Sequence, residues 1–302
     1  MPELPEVEVV RSGLAPALTG AVISGVEVLD RRSLKRHDPT IGDFERLLTG
    51  ARVAAAVRRG KFLWLPLDGE RAIVGHLGMS GQMLLRTPEH PGDDRHARVR
   101  LHVEHPEHGE LRVDFVDQRI FGSLAVDRML PTSDGQIAGF SASVTGEWAR
   151  SIPSQVAHIA RDPLDPAFSE SAFAARLARR DTGIKRVLLD QGVVSGIGNI
   201  YADETLWAVR LHPEQPASSL SLRRVNELLA AVRDVLGRAL VEGGTSFDAQ
   251  YVNVNGASGY FAHSLNAYGQ TGEPCARCGT PIVREPFMNR SSHLCPKCQR
   301  RR

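Results

Sequence analysis

Cysteine is absent from this 302-residue chain until position 275, and all four cysteines follow within the next stretch, at 275, 278, 295 and 298. That excludes a disulfide framework spread over the chain. Aromatic residues are sparse, at 6%. No run of about 18 apolar residues occurs, so nothing reads as a membrane span. The first residues are acidic where a secretory signal needs a basic and then an apolar run, which is the pattern expected of an intracellular protein. Net charge is only +2, too little by itself to suggest a polyanionic partner. No internal repeat or low-complexity run is present.

What remains is an ordinary globular composition, 42% apolar and 24% charged. The length suffices for two domains with cores of their own and a small appendage. The charge is uneven. From Gln270 to Arg302 there are seven basic residues and two acids, a net +5, which leaves −3 on the rest. A basic tail on a near-neutral body suits either a local polyanion contact or a solvated terminus.

Hydrophobic spacing divides the chain. Leu4, Val7, Val10 and Leu14 have helical spacing, with Pro16 and Gly20 expected to end the helix. From Ala21 to about Asp127 the period becomes two, as in Val99, Leu101, Val103 and in Leu111, Val113, Phe115. This predicts antiparallel strands in a sandwich or barrel. Residues 136–167, rich in Pro, Ser, Gly and Ala, read as a linker. Ser169 or Ser171 can cap a helix. Ile184, Val187 and Leu188 mark a short second one, and a third starts near Asn199 after the loop Gly192–Asn199. Ser221 caps a long amphipathic helix whose apolar face carries Leu222, Val225, Leu229, Val232, Leu236 and Leu240. The expected fold is α+β and multidomain. It comprises an antiparallel β-sandwich with flanking helices over 1–135, a helical domain over 168–250, and a zinc ribbon over 268–302.

Several stretches carry chemistry. Loss of Met1 would leave Pro2 as a terminal secondary amine beside the Glu3 carboxyl. A free α-amino group titrates near ~8, so part of it is neutral and nucleophilic at neutral pH. Attack on an aldehyde carbon would give an iminium, Schiff-base catalysis without a buried lysine. Pro2 equally suits the first turn of a helix. Cys275-Ala-Arg-Cys278 and Cys295-Pro-Lys-Cys298 each offer two thiolates from one turn, together a closed tetrahedral site for one structural zinc. Arg290 lies inside that loop, as surface or as a phosphate contact. Asn199, at a helix N-terminus, either caps the helix or helps to bind phosphate. Met79 and Phe121 sit in glycine-flanked turns. They are core residues or apolar wedges for a base stack, with Arg119 filling the vacated space. Lys61 follows Arg58-Arg59-Gly60 as a surface lysine or a phosphate contact. His102, His105 and His108 read as an exposed hairpin rather than a metal site. Gly243-Gly244 and Asn253–Gly259 could close over a ligand.

In combination these stretches resemble the formamidopyrimidine-DNA glycosylase and endonuclease VIII family. The resemblance rests on Pro2-Glu3-Leu4-Pro5-Glu6, on Gly198-Asn199-Ile200-Tyr201-Ala202 for its helix–two-turns–helix element, and on the four cysteines followed by Gln299-Arg300. It implies a monomeric base-excision enzyme, cytoplasmic and nucleoid-associated through double-stranded DNA held between its two domains. The enzyme would flip oxidised purines such as 8-oxoguanine and formamidopyrimidines out of the duplex. Pro2 would attack C1′, with Glu3 protonating the ring oxygen. Abasic-site lyase cleavage by β,δ-elimination would follow. By position Lys61 matches the family's β-elimination lysine and Arg290 its δ-elimination arginine. His96, Arg119 and Arg180 match DNA contacts, and Lys185 and Asn199 match phosphate-binding positions. Met79, Arg119 and Phe121 match the void-filling trio of the oxidised-purine branch. The chain departs from the familiar pattern at Gln118, where proline is common, at Ile120, where a basic residue is common, and around Ser246–Gln250.

Two rivals remain: a non-catalytic DNA binder on the same scaffold, and the oxidised-pyrimidine branch, which would prefer thymine glycol. Binding through phosphates releases counterions, so duplex affinity should fall steeply between low and moderate salt. Fluorescence anisotropy at several ionic strengths measures this, and a flat profile would exclude a DNA clamp.

Overall fold

The structure is a computed structural model that describes residues 2–92, 94–142, 144–245, 254 and 261–301. Met1, the Ser246–Gln250 loop and all of Asn253–Gly259 except Val254 lie outside the described residues. The chain forms two compact units, Met1–His158 with Thr245–Gly259, and Ile159–Gly244 with Tyr260–Arg302.

In the first unit, α1 (Leu4–Leu18) precedes two antiparallel sheets. One has the order β1 (Val22–Val28), β6 (Ala97–His105), β7 (Gly109–Asp117), β5 (Gly81–Arg86). The other has the order β2 (Val57–Arg59), β3 (Phe62–Pro66), β4 (Arg71–His76), β8 (Ser123–Pro131), β9 (Ser151–Pro153). A short helix, α2 (Phe44–Leu48), lies between β1 and β2 and is capped by Asp43. Val99, Leu101, Val103, Val113 and Phe115 from the first sheet share a core with Leu63, Leu65, Ile73, Leu124 and Val126 from the second, and with Val7, Val10 and Leu14 of α1. The period-two strands thus close a sandwich, as their alternation predicts. β3 departs from alternation because both of its faces are covered, and all five of its residues are buried.

The covering comes from residues expected to be a linker. Arg58 and Phe140 exchange backbone hydrogen bonds at 3.0 and 2.8 Å. Gly139 runs so close to β3 that a Cβ there would lie 2.7 Å from the Trp64 ring. β9 pairs with β8 through Met129–Pro153, Leu130–Ile152 and Pro131–Ser151. Small and apolar side chains such as Ala138, Ala149, Ile152 and Val156 are buried there without any periodicity. α1 also differs from expectation, because Pro16 lies inside it. Proline removes one backbone donor from a helix, but Leu14, Ala15, Ala17 and Leu18 on the final turns are buried and hold the chain helical to Leu18.

In the second unit Ser169 and Ser221 cap α3 (Glu170–Ala178) and α6 (Leu222–Val241) through the amides of Ala172 and Arg224. Between them lie α4 (Ile184–Leu189) and α5 (Asn199–Ala208). The buried face of α6 runs from Val225 to Ala239; Leu222, expected on it, is exposed because it starts the helix ahead of the contact. α5 is buried nearly all round, Asp203 and Glu204 included. The Glu204 carboxylate accepts the backbone N–H groups of Asn266, Ala267 and Tyr268 at 2.8–2.9 Å, and so fixes the turn entering the cysteine region. A hairpin of β10 (Val283–Phe287) and β11 (Arg290–Leu294) follows. Among the described residues no helix is long and apolar enough to cross a membrane.

Candidate active site and metal centre

The N-terminal residues are held in place by a buried carboxylate. Pro2 and Glu3 are both buried at the mouth of α1. Glu6 Oε2 accepts the Glu3 N–H at 2.8 Å, the returning half of a capping box. Its other oxygen accepts from Thr245 N (2.8 Å) and Thr245 Oγ1 (3.0 Å). Glu8, two residues on, ion-pairs with Arg58 of β2 at 2.9 Å, which ties α1 to the strand leading into the Gly60–Lys61 turn. The motif spacing reveals Pro2 and Glu3; the positioning role of Glu6 depends on Thr245, far away in sequence, and leaves no local signal.

Lys61 is buried and belongs to a cationic cluster. His76 at the end of β4 packs against Phe62 with ring centroids 5.0 Å apart, and Arg36 lies 5.6 Å above the same phenyl ring. Burial, then the charges of Arg36, Lys35 and Lys61, pushes the His76 imidazole down to about 4, so its ring is neutral at physiological pH. Its buried Nδ1 has no hydrogen-bond partner among the described residues. Sequence spacing does not single out Lys35, Arg36 or His76 as a group, because the cluster joins three separate elements.

The turns carrying Met79, Arg119 and Phe121 form one platform. Met79 and Phe121 are 38% and 49% exposed, against the core location that their residue types would favour. Asp117, fully buried, accepts from Ser80 Oγ (2.5 Å), Arg119 N (3.2 Å) and Gly122 N (2.7 Å). Gly78 has φ +64 and faces Phe121 and Gly122 so closely that a Cβ would lie 2.5 Å from their backbone atoms. His96 joins this platform through its carbonyl, which accepts the Asp117 N–H at 2.9 Å, and its ring stands beside Arg95 and Arg98.

In the second unit two of the expected phosphate ligands, Lys185 and Asn199, converge on the hairpin. Lys185 is fully buried and ion-pairs with Asp203 Oδ1 at 2.6 Å. Its Nζ donates to Ser291 O (3.1 Å) and Ser292 Oγ (2.9 Å). Asn199 does not cap α5, where Gly198 is the N-cap; its Nδ2 donates to Ser291 O at 3.0 Å. Both side chains therefore grip the residue next to Arg290, which stays exposed at the start of β11. Lys185 as placed is bonded to the hairpin at Ser291 and Ser292. Asn199 Oδ1 is buried without a hydrogen-bond partner among the described residues. Arg180 is exposed and pairs with Asp190 at 3.0 Å. His105 and His108 stack in the β6–β7 hairpin, at 4.4 Å.

The sulfurs of Cys275, Cys278, Cys295 and Cys298 all lie within 4.8 Å of one another, and Cys278 Sγ is 3.5 Å from both Cys295 Sγ and Cys298 Sγ. Four thiolates about 2.3 Å from one zinc ion would stand at such spacings. Among the described residues this is the one group of three or more such side chains able to hold a metal.

Sequence models of the formamidopyrimidine-DNA glycosylase N-terminal domain, its H2TH domain, and the zinc finger found in FPG and IleRS match residues 1–124, 159–250 and 272–301. The formamidopyrimidine-DNA glycosylase of Leifsonia xyli subsp. xyli is 66% identical over 99% of this chain and 100% of its own length. This chain belongs to the formamidopyrimidine-DNA glycosylase family. The enzyme of that name from Thermobifida fusca is 55% identical over 100% of this chain and 98% of its own. Among solved structures, MutM (Fpg) of Thermus thermophilus has a TM-score of 0.77 at 33% identity, with 100% of both chains covered. A Lactococcus lactis Fpg mutant solved with Fapy-dG-containing DNA has a TM-score of 0.80 at 28% identity, covering 99% of this chain and 100% of its own. Membership in the formamidopyrimidine-DNA glycosylase family supports a glycosylase role, and the four cysteines form its zinc finger around a single structural zinc.

Stripping the zinc with a strong chelator should melt the β10–β11 hairpin. Trp207, with Arg277 stacked 3.9 Å from its ring, reports the change by fluorescence. An unchanged emission and melting temperature would mean that the thiols hold no structural metal. The second expectation concerns His76. Its folded pKa lies below the ordinary ~6.5, so the unfolded chain binds the extra proton between the two values. Stability should therefore be fully present above pH ~6.5 and decline toward pH 4, by up to about 3 kcal/mol from this group. His76→Gln should flatten that part of the stability–pH curve in urea titrations; an identical slope would show that His76 is not the titrating group.

Proposed function

We propose that this chain excises oxidised purines from double-stranded DNA through Pro2 and then cleaves the abasic strand. The observation that carries the reading is the burial of Pro2 and Glu3, with the Glu3 backbone held by the Glu6 carboxylate. A chain terminus ordinarily frays; here the first turn is held as a catalytic group needs to be.

In the proposed chemistry Met1 has been removed and the neutral Pro2 nitrogen attacks C1′ of a flipped nucleotide. The N-glycosidic bond breaks and the base leaves with a proton. Glu3 protonates the sugar ring oxygen, the ring opens, and a C1′ iminium links Pro2 to the strand. The iminium acidifies C2′; loss of that proton expels the 3′ phosphate, and a second elimination expels the 5′ phosphate. Hydrolysis of the iminium returns the amine. Lys61 is assigned to the first elimination and Arg290 to the second. The arginine acts as a donor to the departing phosphate, because a guanidinium hardly gives up its proton. The zinc finger shapes and presents the hairpin and takes no chemical step.

DNA recognition in this reading has three parts. The neutral His76 beside Arg36 and Lys61 offers a phosphate a site of positive potential. Met79, Arg119 and Phe121, with His96 beside them, replace the extruded nucleotide in the stack. Asn199 Oδ1 and Arg180 face ligands in the helical unit, while Lys185 and Asn199 Nδ2 keep Arg290 in place through Ser291.

Borohydride trapping on duplex DNA with 8-oxoguanine opposite cytosine tests the reading. The expected product is a covalent adduct whose linked peptide begins at Pro2. Lys61→Ala should slow strand cleavage more than base release, and Arg290→Ala should leave more of the product at the β-elimination stage. No adduct on this DNA, on an abasic site or on thymine glycol would sink the enzymatic reading. Preference for thymine glycol would move the chain to the oxidised-pyrimidine branch.

A further inference from the structure

Ile120 has φ +56, one of three left-handed non-glycine residues among those described. For a β-branched side chain this is a strained conformation. It immediately precedes Phe121, whose side chain is 49% exposed. On either side the turn is anchored by Asp117, through Arg119 N and Gly122 N. Those bonds straddle Ile120 and Phe121 without holding their carbonyls. Both carbonyls are met by one side chain from elsewhere: Lys35 Nζ donates to Ile120 O at 2.8 Å and to Phe121 O at 3.1 Å.

Lys35 stands on a firm base. It follows a short 3-10 turn, Arg31–Leu34, that Asp30 caps through Arg32 N at 3.1 Å. Ser33 and Leu34 are buried, and Leu34 belongs to the sandwich core. The ammonium is thus presented to the turn by a segment that cannot easily drift. One ammonium bonded to both carbonyls restrains the two peptide planes that flank Phe121, and it does so with Ile120 in its left-handed conformation.

We infer that Lys35 is a positioning residue for Phe121, clamping the strained Ile120 turn so that the phenyl ring is projected for insertion into the base stack. The inference rests on the wedge role assigned to Phe121 above. It also gives Lys35 a part that its charge alone would not suggest, since an exposed lysine beside a cationic cluster reads first as a phosphate contact.

The test measures insertion in single-turnover stopped-flow experiments, with a fluorescent base analogue adjacent to the lesion, on the zinc-loaded enzyme with Pro2 exposed. Phe121→Ala should abolish the insertion phase; if that phase survives unchanged, the wedge reading itself fails, whatever Lys35 does. Given a wedge, Lys35→Met should slow insertion by roughly 5- to 30-fold, the factor expected from releasing one strained left-handed residue. Lys35→Arg should restore it, because a guanidinium can also donate to two carbonyls. Ile120→Asn in the Lys35→Met background should restore it as well, because asparagine tolerates the left-handed region without a clamp. A merely structural lysine would not be rescued by a change at Ile120. The inference is overturned if Lys35→Met leaves the insertion phase unchanged, or if its defect persists with Ile120→Asn. A phosphate role would appear as weaker binding to undamaged duplex with a shallower salt dependence, and without rescue.

Discussion

A single buried carboxylate, Glu6, holds the first turn on which the proposed chemistry depends. The proposed nucleophile is the end of the polypeptide, and an end has one covalent neighbour instead of two. Glu6 supplies the missing restraint by accepting from Glu3 N and from Thr245 at once. Removing its oxygens would strand buried donors, at about 1–3 kcal/mol for each unsatisfied group. It would also free the one segment that must not fray. The Glu8–Arg58 pair extends the same restraint to the turn that carries Lys61.

The helical unit solves a related problem differently. Its hairpin has only two short strands and could not stand alone as a stable sheet. It is held from below by metal ligation, and from the side by Lys185 and Asn199 gripping Ser291. The Lys185–Asp203 ion pair is fully buried. Breaking such a pair by removing one partner typically costs about 3–5 kcal/mol. Lysine there is thus tolerated only with its acceptors in place, and they hold the neighbour of Arg290 at one position.

Much of this is legible in the sequence. Alternation at Val99–Val103 and Leu111–Phe115 marks the strands, serines mark two helix starts, and cysteine spacing marks the metal centre. Each is a local pattern in which the residue and its partner lie within a few positions. The misreadings share a cause. Gly139, Phe140 and Ser151–Pro153 cover a sheet without periodicity, because their fit depends on small residues such as Gly139 meeting Trp64. Pro16 reads as a helix end, because burial of the turn around it is a tertiary effect. Glu6, His76 and Lys35 meet Thr245, Phe62 and Ile120 only through the tertiary fold, so no window of sequence reveals those contacts.

The close approach of Gly78 to Gly122, locked by the buried Asp117 and Ser80, has a consequence for how such a protein can change. The backbone socket uses none of the side chains at 79, 119 and 121, which all point outward from it. Those three are therefore exchangeable tips in a fixed holder. A lineage could alter what these turns present to a partner one residue at a time without re-engineering the fold. Insertion or deletion within either turn would break the holder itself. Diversification at this surface should proceed by substitution, at constant loop length.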